Sequence, residues 1–147
     1  MHKLVLCVIA VAALALAATP PNLSGKWTLN KDKSEFSRSA PDSMTATITD
    51  DGRKIHMVQT VNGNDIELNV ERGVESVNHL GDMEMHTKLT VDGDRLLEDT
   101  TFNGPQGTLT RKSVITVSAD GKTLIFDGNY DSPTGAFHEK IVLDKAD

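Results

Sequence analysis

Glu98, Arg111 and Tyr130 are the residues of this chain whose types and spacing can do chemistry. A guanidinium grips a carboxylate through two parallel N–H donors, and a phenol adds one further donor. Thr87, Gln59 and Glu139 share the same strand phase and extend the polar set. One reading is that Arg111, helped by Tyr130, holds the acidic head of a small amphiphile. The other is a structural Glu98–Arg111 pair, because a carboxylate and a guanidinium taken out of water need each other. Two inward carboxylates are the minimum for acid–base work. The chain beyond the leader has no G-x-S-x-G, no S-x-x-K and no cysteine, so no catalytic residue is assigned. A hydrolase or isomerase using Glu98 is the weakest of three functional readings.

These residues must be positioned by strands. From Met44 onward the chain consists of short alternating apolar and polar segments separated by glycine turns, the pattern of antiparallel β structure. Two-residue turns fix register. A turn at Asp51-Gly52 sets Ile48 opposite Ile55 and Ala46 opposite Met57, and one at Asn62-Gly63 sets Met57 opposite Leu68 and Ile55 opposite Val70. A turn at Asp92-Gly93 sets Leu89 opposite Leu96, Met83 opposite Phe102 and Thr87 opposite Glu98. A four-residue turn at Asn103–Gln106 then sets Glu98 opposite Arg111 and Thr100 opposite Leu109. A turn at Asp120-Gly121 sets Val117 opposite Leu124 and Ile115 opposite Phe126, with Tyr130 beside Arg111. Thr87, Glu98, Arg111 and Tyr130 thereby form one polar row across four strands.

The inward apolar set is Met44, Met57, Met83, Met85, Phe102 and Phe126. Unbranched thioethers suit an adaptable cavity and fill an irregular core equally well. His56, His86 and His138 fall on outward phases and read as solvated. With no close histidine pair and no calcium-loop spacing at the Asp-Gly turns, no metal is expected. No glycine-rich phosphate loop is present and no cofactor is expected. Leu97, Val114, Ile125 and Val142 point outward and form a contact patch if they are adjacent. Arg72–Asp82 and Asn129–Gly135 read as irregular mouth loops or lids, and a short helix is expected near Ser34–Phe36.

About nine or ten strands in one meander must close or split into two layers. Nearest-neighbour hairpins without a crossover favour a barrel. His2 and Lys3, the apolar run Leu4–Leu16 and the sequence Ala15-Leu16-Ala17-Ala18 have the layout of a secretory signal peptide. Cleavage is expected after Ala17 or Ala18, leaving one exported domain, residues 19–147, periplasmic or extracellular and not membrane-spanning. The leader takes the only cysteine, Cys7, so the processed chain has no disulfide. Losing Lys3 moves the net charge from −6 to −7. An acidic chain without a basic run is a poor nucleic-acid partner.

The segment Leu23–Asn30, LSGKWTLN, holds the only tryptophan. Its Gly25-x-Trp27, followed by Asn30 and Lys33-Ser34-x-Phe36, resembles the opening strand of lipocalins and related calycin barrels, in particular short secreted bacterial proteins of that type. The resemblance implies an up-and-down barrel with Trp27 plugging its closed base and Lys140 or Lys145 packing over the indole. It also implies a small hydrophobic or amphipathic ligand inside, as fatty-acid-binding members of the group use an inward Arg and Tyr. The family's disulfide, its Thr-Asp-Tyr block and its C-terminal helix pattern are missing. The reading is therefore an exported binding protein, with a non-enzymatic structural or interaction protein with a filled barrel as the alternative.

Overall fold

The computed structural model describes residues 18–147, so all of the expected leader except Ala18, Cys7 included, lies outside the described residues. The described chain is all-β. Its ten strands are β1 (Gly25–Leu29), β2 (Met44–Asp50), β3 (Lys54–Val61), β4 (Asn64–Glu71), β5 (Glu75–Leu80), β6 (Met83–Asp92), β7 (Arg95–Gly104), β8 (Gly107–Val117), β9 (Thr123–Ser132) and β10 (Gly135–Lys145). They form one antiparallel sheet in the order β4-β3-β2-β1-β10-β9-β8-β7-β6-β5. Every sequence neighbour except β4 and β5 is paired, and β1 clasps β10 to bring the chain ends together. The result is the expected meander, curled into a nearly closed barrel.

The two sheet ends, β4 and β5, meet through side chains instead of a backbone ladder. The Asn78 amide does the work of a peptide unit there. Its Oδ1 accepts from the Asn69 N–H (2.9 Å) and its Nδ2 donates to the Asn69 carbonyl (2.9 Å). The Glu71 N–H donates to Ser76 Oγ (2.9 Å), and the Gly73 N–H donates to the Leu89 carbonyl (2.7 Å). An edge that would otherwise expose unpaired groups is thus partly satisfied.

One end of the barrel is closed by Trp27, 1% exposed, whose indole N–H donates to the Leu23 carbonyl (3.0 Å). Lys145, and not Lys140, stands over the indole at 5.5 Å. Gly25 has a positive φ of 143°, and a Cβ there would come within 2.9 Å of the Lys145 side chain. The Gly-x-Trp spacing therefore has a packing reason. A buried ion pair that the sequence reading missed lies at the same end. Arg72 Nη2 donates to Asp50 Oδ2 (2.5 Å) and to the Pro21 carbonyl (2.9 Å), while the Leu23 N–H donates to the same carboxylate oxygen (2.9 Å). Residues 21–23 are tied across the base.

Two hairpin registers match expectation, those of Asn62-Gly63 and Asp120-Gly121. The other three differ by two residues. Asp51 Oδ1 accepts from the Arg53 and Lys54 N–H groups, which lengthens the first corner, so Ile48 pairs with Met57 and Asp50 with Ile55. Gly93-Asp94, not Asp92-Gly93, makes the β6–β7 corner, with φ +63° at Gly93, where a type II′ turn wants glycine. Leu89 consequently faces Glu98, and Thr87 faces Thr100. Pro105-Gln106 makes the β7–β8 corner, so Glu98 faces Ser113 and Thr100 faces Arg111. Shifts by two keep every side chain on its face.

Other expectations need correction. No helix forms near Ser34–Phe36, because Asn30 Oδ1 accepts from the Lys33 N–H (3.1 Å) and Ser34 Oγ donates to the Asn30 carbonyl (2.6 Å). Glu35 instead bridges to Lys140. The stretch expected to be irregular at Arg72–Asp82 contains strand β5, and Asn129–Gly135 continues β9 into a tight corner before β10. Val142 is buried, with the Lys31–Phe36 segment hydrogen-bonded along its backbone.

Candidate functional site

Strands β6 to β10 carry the polar groups, and alternation aims them inward. The register produces two rows in place of the single expected one. The first runs Thr87–Thr100–Arg111–Tyr130–Phe137 and the second Leu89–Glu98–Ser113–Gly128–Glu139, across β6, β7, β8, β9 and β10. Arg111 reaches diagonally from the first row to the second, and its Nε–H donates to Glu98 Oε1 at 2.6 Å. The guanidinium sits between aromatic faces, 5.2 Å from the Phe102 ring centre and 5.8 Å from that of Tyr130. Tyr130 stacks on Phe137 at 4.6 Å, and Arg38, from the β1–β2 connection, covers Phe137 at 4.9 Å. Thr87 and Thr100 hydrogen-bond one another through their hydroxyls (3.0 Å).

The Glu98 side chain is 8% exposed and that of Arg111 21%. Burial opposes the arginine's charge. The Glu98 carboxylate, with a smaller effect from Tyr130, outweighs it and holds Arg111 above its ordinary range. The guanidinium stays cationic.

Within the barrel is a cavity of about 100 Å³. Of the residues singled out from sequence, Met57, Gln59, Met85, Thr87, Glu98, Arg111, Phe126, Tyr130 and Glu139 line it, as does Met44. Phe102 and Met83 do not. Phe102 packs against Arg111, and Met83 lies beside Gly104. Ser113, Gly128, Leu68, Val70, Ile141 and Leu143 line the cavity without having been anticipated as site residues. Strand phase marks Ser113 as inward, since it lies between Arg111 and Ile115. A Cβ at Gly128 would come within 2.7 Å of Ser113 Oγ, so glycine here makes room for the Ser113 hydroxyl.

The outer histidines are each held by carboxylates. His56 bonds Glu67 (2.7 Å), His138 bonds Asp127, and His86 bonds both Glu84 and Glu75. Among the described residues no group of three or more His, Cys, Asp or Glu is placed to hold a metal ion. Leu97, Val114 and Ile125 do come together, in a groove on the outer face that also carries Lys88, Arg95, Lys112 and Lys140.

No protein-family model matches the chain, and no curated protein matches it in sequence. Solved structures do. The REP1-NXSQ fatty acid transporter superposes with a TM-score of 0.63 at 16% identity, covering 85% of this chain and 96% of that one. A secretory abundant heat soluble protein from Ramazzottius varieornatus gives 0.65 at 17% identity, with 88% and 99% covered. Zebrafish ileal bile acid-binding protein, complexed with cholic acid, gives 0.61 at 16% identity, with 84% and 98% covered. At these identities the likeness is one of fold: this chain is built as a β-barrel similar to those of fatty-acid-binding, calycin-type proteins.

Proposed function

We propose that the chain is an exported binding protein for a small amphipathic or hydrophobic molecule held inside its barrel. The observation that carries this reading is the cavity itself, apolar along Met44, Met57, Met85 and Phe126 and polar where Glu98, Arg111 and Tyr130 meet. Ligand sites are largely apolar with a few convergent polar groups that set orientation. The similar structures add support, since their names describe a fatty acid transporter and a bile acid-binding protein. The leader-like residues 1–18 support export.

Size bounds the ligand. The cavity of about 100 Å³ is smaller than the roughly 300–1,000 Å³ typical of drug-sized sites. A short chain fits this reading, with the three methionines able to change rotamer around it. The small volume and the outer groove also favour a second reading, a non-enzymatic interaction protein whose barrel is filled.

Native mass spectrometry of the processed protein, followed by denaturing extraction, separates the two. A stoichiometric small molecule released on unfolding supports the binding reading. A bare mass that also stays bare after incubation with octyl-chain amphiphiles contradicts it and favours the filled barrel.

A further inference from the structure

The head group that this cavity takes can be narrowed from its charges, an inference that rests on the binding reading above. One basic and two acidic side chains line the cavity: Arg111, Glu98 and Glu139. Arg111 is already committed to Glu98 at 2.6 Å. Glu139 has no cation within ion-pair distance among the described residues, and its only side-chain hydrogen bond comes from Ser37 Oγ (3.0 Å). Arg38, the other guanidinium near this end, is exposed and lies over Phe137. The polar wall thus carries one negative charge in excess.

The same wall carries a hydroxyl, that of Ser113. Ser113 is 5% exposed and lines the cavity in the same cross-strand row as Glu139. It faces Gly128, and its hydroxyl packs over that glycine, 2.7 Å from where a Cβ would stand. Its oxygen can accept a hydrogen bond from a donor on a ligand in the cavity. A carboxylate head would add a third negative charge beside a single cation, whereas a donor group meets the serine oxygen and the unpaired Glu139.

We infer that the cavity selects an amphiphile whose head donates hydrogen bonds and carries no negative charge, an alkyl amine above an alkyl alcohol, and discriminates against a free carboxylate. This departs from the acidic head that Arg111 alone leads one to expect. In the folded barrel Arg111 is answered from within, and Glu139 is not.

Isothermal titration of the processed protein at pH 7 with octylamine, octanol and octanoate tests the inference. Octylamine is expected to bind at least about tenfold more tightly than octanoate, with octanol between them. Glu139→Gln is expected to remove most of that ratio, while Glu67→Gln, an exposed carboxylate away from the cavity, leaves it unchanged. Circular dichroism checks that both variants fold. Octanoate binding as tightly as octylamine, or a ratio indifferent to Glu139→Gln, overturns the head-group inference and leaves the binding reading standing. If none of the three binds, the binding reading fails and this inference fails with it.

Discussion

Arg111 and Glu98 stabilise the barrel only as a pair. Removing the guanidinium leaves a carboxylate that is 8% exposed without its cation. Arg111→Ala is accordingly expected to cost about 3 kcal/mol in urea unfolding, at the lower end for a broken buried pair because Arg111 keeps some solvent contact. Replacing both, Arg111→Met with Glu98→Leu, should recover most of that loss. A double variant as unstable as the single one would contradict the pairing. At the surface, the hydrogen bond to Glu84 raises the His86 pKa, against a smaller desolvation effect, with Glu75 assisting. Because the folded value is raised, protonation favours the folded state. The contribution is complete below the ordinary value of 6.5 and fades as pH climbs through the raised one. An NMR titration of His86 should show a midpoint above 6.5 that Glu84→Gln moves back down; a wild-type midpoint at or below 6.5 would refute this. Alternation alone made Glu98, Arg111, Tyr130 and Glu139 readable as inward. Gly128 was not readable, because an absent side chain matters only once its cross-strand neighbours are known. Asp50 could have been found, since it continues the inward phase of Met44, Ala46 and Ile48, but its partner Arg72 lies beyond β4, where no pattern pointed to it.

At the level of the strands, the β4–β5 seam is where closure depends on side chains. Asn78→Ala removes both bonds to the Asn69 peptide, at an expected cost of about 1–3 kcal/mol. Amide exchange should accelerate first at Asn69 and its neighbours on β4 and β5, before β8 and β9 respond. Uniform acceleration across all strands would argue that the seam is no weaker than the rest. The sequence reading overlooked this seam because it took the Arg72–Asp82 segment as a loop. Glycine and asparagine there look like turn residues, yet Asn78 is inside a strand and supplies the edge pairing. The hairpins show a related limit. A Gly-containing corner announces a reversal, but which two residues occupy the corner depends on local bonds such as those of Asp51 Oδ1. A shift of two preserves each face, so the inward set survived while the single polar row became two.

Across the whole molecule the barrel is packed around Trp27 at one end and carries its inward polar groups partway along the strands. The base is fixed by Trp27, Lys145 and the Asp50–Arg72 pair with residues 21–23 across it. The Glu98–Arg111–Tyr130 group stands further up the strands, with Met85 beyond it on β6 and Met44 at the far end of β2. The Gly-x-Trp motif made the base legible in advance, whereas the cavity's extent rests on rotamers that no sequence pattern encodes. The central claim is that a small amphiphile enters this interior. The most direct test is a methyl-methionine ¹³C spectrum recorded during titration with octylamine. The methyls of Met44, Met57 and Met85 are expected to shift together, while Met83, which does not line the cavity, stays in place. A response confined to Met83, or none from any methionine at saturating ligand, would contradict it.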